Sequence, residues 1–128
     1  MKIKLSSVMV NDQAHALKFY TEVLGFVKKM DVPAGDHRWV TVVSPDEGMA
    51  EIELLLEPNA YRAAKAYQRA IFQDKIPFTS FFCDDVQKEY ERLVQRGVNF
   101  RVRPTKMEWG TYAVFDDTCG NLIQLLQG

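Results

Sequence analysis

Apolar and polar positions along the chain change their period in one order, and then repeat that order. From Ile3 to Val10 the β-branched and apolar residues suit a strand. Asn11-Asp12 then offers a helix N-cap, because a short side-chain oxygen can accept the orphan amide hydrogens of a first turn. Ala14, Leu17, Phe19, Tyr20, Val23 and Leu24 follow at helical spacing, with Gly25 in the closing position. Phe26-Val27 opens a second strand. Arg38 to Val43 and Ile52 to Leu56 read as two more, parted by the turn-forming run Ser44-Pro45-Asp46-Glu47-Gly48.

The second half uses the same grammar. Phe78 to Cys83 reads as a strand and Asp84-Asp85 as a cap. Val86, Tyr90, Leu93 and Val94 make a helical stripe that ends at Gly97. Val98 to Val102, Thr111 to Phe115 and Leu122 to Leu126 are the remaining strands, the last two separated by the turn 116–121. Val10 and Cys83, each just before a cap, lie 73 positions apart, and Glu53 and Gln124 lie 71 apart within matching strands. Two βαβββ repeats are therefore expected, an α+β architecture of about residues 1–58 and 77–128 within one domain. The alanine-rich stretch 59–76, with Tyr61 and Tyr67, predicts a packed linker helix.

Composition narrows the setting. A 128-residue chain with 47% hydrophobic residues is long enough to bury a core. A formal net charge of −1 gives no footprint for nucleic acid or an anionic membrane. No apolar run approaches the ~20 residues that span a bilayer, and the N-terminus lacks a signal-peptide pattern. Cys83 and Cys119 have no metal-type spacing, so two reduced thiols and a cytoplasmic location are expected.

Two stretches carry a resemblance. Val10-Asn11-Asp12 leading to Leu17-Lys18-Phe19-Tyr20-Thr21-Glu22-Val23-Leu24-Gly25-Phe26 resembles the N-terminal signature of the vicinal oxygen chelate superfamily, which includes glyoxalases, bleomycin-resistance proteins and extradiol dioxygenases. Phe115-Asp116-Asp117-Thr118-Cys119-Gly120-Asn121 and the strand after it resemble that family's closing pattern, with Thr118 in place of a proline. The resemblance implies two modules curling into an eight-stranded cup. It also implies ligands, commonly His and Glu, on the first and last strands of each half. Such a set suits a divalent metal that polarises a substrate's paired oxygens.

Carried over by position, the four ligand places fall on Leu5, Glu53, Phe78 and Gln124. Leucine and phenylalanine cannot ligate, and an amide oxygen is a weaker ligand than a carboxylate. The two histidines, His15 and His37, lie on the first helix and before a strand, where neither replaces the missing pair. No metal and no other cofactor is expected. Strand parity places Leu55 with Glu53, Ser7 and Met9 with Leu5, and Ser80 and Phe82 with Phe78. Trp39 and Thr41 share a face that parity alone does not assign, and Trp39 is taken as a wall of the cup. Trp109 is taken as its rim. Glu53 reads as a carboxylate inside the cup, its charged form disfavoured by desolvation, or else as a charge on a half-solvated face. His15, Cys119 and the acidic pairs Asp84-Asp85 and Asp116-Asp117 read as solvated, cap or turn residues.

Three functions remain open on this reading. The favoured one is a metal-free protein binding an apolar or aromatic small molecule, as a homodimer. The second is a glyoxalase-like lyase, isomerase or dioxygenase with Glu53 as general base or metal ligand. The third is a structural or partner-binding domain whose cup is closed.

Overall fold

In the computed structural model, which describes residues 1–128, the first half is built on strands β1 (Leu5–Val10), β2 (Val27–Ala34), β3 (His37–Val43) and β4 (Glu53–Pro58). They form one sheet in the order β1-β4-β3-β2, with β1 parallel to β4 and the other pairs antiparallel. Helix α1 (Gln13–Lys18) starts at the expected cap, where the Asp12 carboxylate accepts the His15 amide hydrogen at 3.0 Å. The helix does not continue as one α-helix to Leu24. It widens into a π-helical turn over Phe19–Val23, closed by Leu24 N–H to the Phe19 carbonyl at 3.0 Å. The Thr21 hydroxyl bonds back to the Leu17 carbonyl at 2.7 Å in the same turn, a local bond that competes with the regular ladder.

One face of this sheet packs under α1. Val8, Val10, Val40, Val42 and Leu56 are fully or almost fully buried there, with Ala16 and Tyr20 among the buried residues of the helical segment. Gln13 ties the helix to the sheet. Its amide nitrogen donates to the Arg38 and Leu56 carbonyls at 2.6 and 2.9 Å, and its oxygen accepts from Arg38 N–H at 3.0 Å.

The second half has strands β5 (Thr79–Cys83), β6 (Phe100–Met107), β7 (Gly110–Asp116) and β8 (Leu122–Gln127), in the order β5-β8-β7-β6. Helix α3 (Val86–Gln95) is capped by Asp85 as α1 is by Asp12. Beside it, Val86, Ala113 and Leu125 form a buried cluster with Phe81, Cys83 and Phe100 against it. Burial in this cluster raises the pKa of the Cys83 thiol.

The chain divides into two compact units, residues 1–65 and 66–128, and the boundary falls inside helix α2 (Arg62–Gln73). The helix is shorter than the expected 59–76. Within the second unit its buried Gln68 donates to the Cys119 carbonyl at 3.3 Å and to Asn121 Oδ1 at 3.0 Å. Asn121 Nδ2 in turn donates to Asp117 Oδ2 at 2.8 Å, while Asp117 Oδ1 accepts the backbone N–H groups of Cys119 and Asn121. The closing pattern is thus a buried polar clasp. Gly120 belongs to it by necessity: its φ is +101°, and a Cβ there would sit 2.8 Å from Gln68 Nε2.

Candidate ligand-binding faces

In the first sheet the face away from α1 gathers the candidate residues. Register sets Leu5 beside Glu53, Ser7 beside Leu55, and Thr41 on the other side of Leu55. The Thr41 hydroxyl donates to Glu53 Oε1 at 2.7 Å, which assigns Thr41, and Trp39 two residues before it, to the face of Glu53. Leu55 and Thr41 are buried, whereas Leu5 and Trp39 remain 42% and 38% exposed. Leu5, Leu55 and Trp39 make an apolar wall around Glu53, with Glu57 two positions beyond Leu55 on the same strand face.

The Glu53 carboxylate is not stranded in hydrocarbon. Its side chain keeps 21% of its exposure, and Lys29 Nζ stands 3.7 Å from Oε2. Lys29 was not legible as a site residue. The polar run Lys28-Lys29 hid most of β2, and with the strand's pairing unread there was no register from which to place this side chain. Lys28 pairs with Val42 and Met30 with Thr41, so Lys29 is the extra residue of a β-bulge. A bulge lets two successive side chains, here Lys29 and Met30, leave the strand on one side, and Lys29 reaches Glu53 while donating to the Ala50 carbonyl at 2.7 Å.

In the second sheet Ser80 and Val114 flank Gln124, and the Ser80 hydroxyl donates to Gln124 Oε1 at 3.0 Å. Phe78 is not the strand neighbour of Gln124. It precedes β5, its N–H donates to the Leu122 carbonyl at 2.8 Å, and its ring meets Tyr67 of α2 edge-on at 5.9 Å. The repeat offsets 73 and 71 would pair Phe78 with Gln124, 46 residues apart, but the partners in the second sheet are 44 apart, a further two-residue slip that preserves strand parity and puts Ser80 there instead. Phe82, paired with Leu126, is 73% exposed. Trp109 lies in the two-residue turn between β6 and β7 and stacks on Tyr112 with ring centroids 5.9 Å apart.

The histidines stay outside both faces. The backbone N–H of His15 serves the α1 cap, and His37 lines a hollow of about 370 Å³ with Val10, Asn11, Gln13, Pro58 and Asn59. That hollow lies at the Val10–Pro58 end of the parallel pair, five residues or about 16 Å along the strands from Leu5–Glu53. Elsewhere on the hairpin, a hydrogen bond from Arg38 holds the Asp31 carboxyl below the usual carboxylate pKa.

The donor chemistry does not fit a resident divalent metal. Glu53 has leucine as its strand neighbour, and its oxygens already face a hydroxyl and an ammonium that would repel a cation. Ser80 and Gln124 offer only neutral oxygens, engaged with each other.

Comparison with known proteins agrees with this architecture. The family model described as Glyoxalase/Bleomycin resistance protein/Dioxygenase superfamily matches residues 2–125. The uncharacterized protein YurT of Bacillus subtilis (strain 168) is 58% identical over 127 residues, 99% of each chain. The crystal structure of UcmS2 superposes with a TM-score of 0.86 at 32% identity, covering 100% of this chain and 98% of that one. TnmS3, described as an antibiotic binding protein from Streptomyces sp. CB03234, superposes with a TM-score of 0.78 at 31% identity, covering 99% and 95%.

Proposed function

The chain belongs to the glyoxalase/bleomycin resistance protein/dioxygenase superfamily, and from that premise we propose that it is a metal-free binding protein for a small apolar or aromatic molecule. The observation that carries this reading is the first sheet's helix-free face. Leu5, Leu55 and Trp39 make an apolar surface there, and the Glu53 carboxylate among them has its charge met by Thr41 and Lys29. Apolar walls with few, already positioned polar groups are the usual makeup of a small-molecule site. The antibiotic binding described for TnmS3 supports the same class of ligand. The reduced thiols Cys83 and Cys119 suit a cytoplasmic setting.

Fluorescence titration with the uncharged aromatic dye N-phenyl-1-naphthylamine, paired with elemental analysis of the purified protein, tests the reading. Wild type binds the dye, Trp39→Ala weakens binding about tenfold through the lost aromatic contact, and metal stays far below one ion per chain. About one zinc, iron, nickel or manganese per chain, lost in Glu53→Gln, would replace this reading with that of a metal-dependent enzyme.

A further inference from the structure

We propose that Lys29 is the specificity-determining group of this face, a tethered cation that selects ligands carrying an anionic or strongly accepting oxygen on an apolar body. The inference rests on the binding reading above and adds a ligand chemistry to it. Its basis is the coincidence of three features that a solvated lysine on a regular strand would not need. The bulge between Lys28 and Met30 makes Lys29 a surplus residue beside this face, the Ala50 carbonyl anchors the ammonium at 2.7 Å, and Glu53 stands 3.7 Å away.

Those contacts leave donor capacity. An ammonium carries three N–H groups and no acceptor. One is spent on Ala50, and the 3.7 Å separation from Glu53 is an ion pair rather than a close hydrogen bond. Both Glu53 and Thr41 are committed to each other, with the hydroxyl hydrogen directed at Oε1. The polar pole of the wall therefore presents its remaining N–H donors from Lys29, beside Glu53 and that residue's strand neighbour Leu5. A ligand oxygen docking there gains a charge-assisted hydrogen bond, and its apolar body lies on the wall.

Two dyes that share one ring system separate this from general hydrophobic binding. 8-Anilinonaphthalene-1-sulfonate has the rings of N-phenyl-1-naphthylamine plus a sulfonate. With Lys29→Met, which keeps the length and removes the charge, affinity for the sulfonate dye should fall about tenfold more than that for the uncharged dye. Lys29→Arg should restore the sulfonate dye's affinity, which also shows that the site tolerates substitution. Equal changes for both dyes, or none, would overturn the role of Lys29 and leave the binding wall standing. Failure of wild type to bind either dye would remove the wall and this inference together.

Discussion

Replacing Asp117 by alanine should cost the second half roughly 3–5 kcal/mol, a large share of the stability of an ordinary domain. The carboxylate is fully buried and accepts three hydrogen bonds: from Cys119 N–H at 2.8 Å, Asn121 N–H at 3.0 Å and Asn121 Nδ2 at 2.8 Å. Truncation leaves three donors in a region where Cys119 and Asn121 are themselves buried. Each buried donor left unpaired costs about 1–3 kcal/mol, and a water admitted to the vacated space returns part of that. Asp117→Asn is the sharper control, since it keeps one acceptor oxygen but sets an amide NH₂ against that of Asn121. The two tryptophans make the assay local, because Trp39 lies in the first unit and Trp109 in the second. Urea unfolding followed in Trp39→Phe and Trp109→Phe backgrounds should show the Trp109 midpoint falling by about 2 M, for a slope near 2 kcal/mol/M. A loss under about 1 kcal/mol would refute the reasoning. The turn would then be held by its backbone, with Asp117 N–H on the Asn121 carbonyl, and by Gly120 alone.

Two further outcomes follow from the geometry. Because the folded-state pKa of Asp31 lies below its unfolded value, the Arg38 contact stabilises the β2–β3 hairpin above the unfolded pKa, near 3.8, and is lost as pH falls through the folded value. Acid unfolding of Asp31→Asn should lack that component, and an acid limb identical to wild type would contradict it. The chain should also run as a homodimer, since the helix-free faces leave Leu5, Met30, Val32, Trp39 and Phe82 substantially exposed. Light scattering giving the 14.7 kDa mass of one chain at every concentration would exclude this.

The fold was legible because its signals are local and occur twice. Asp12 and Asp85 both cap helices, and the strand–helix–three-strand order recurs with nearly constant offset. The Glu53 face was legible through parity, since Leu5, Ser7, Glu53 and Leu55 share it by strict alternation. What escaped were the departures from alternation. The bulge at Lys29 adds a surplus residue, a two-residue slip of pairing register in the second sheet puts Ser80 in place of Phe78 beside Gln124, and the π-turn interrupts an apparently continuous helical stripe. The partners of Glu53 were not legible either, because Thr41 and Lys29 reach it from two other strands.

The bulge has a consequence for how such a site can change. Pairing resumes with Met30 opposite Thr41 and stays regular to Ala34 opposite His37, so Lys29 is a surplus residue in the ladder. Loss of that single codon would close the strand into plain pairing, with every side chain from Met30 onward still facing as before. The charge at the proposed binding face could thus be deleted or inserted in one step without repacking the core beneath α1. In a scaffold of this kind, ligand preference and fold stability are encoded in separable places, and lineages can trade one ligand chemistry for another at little structural cost.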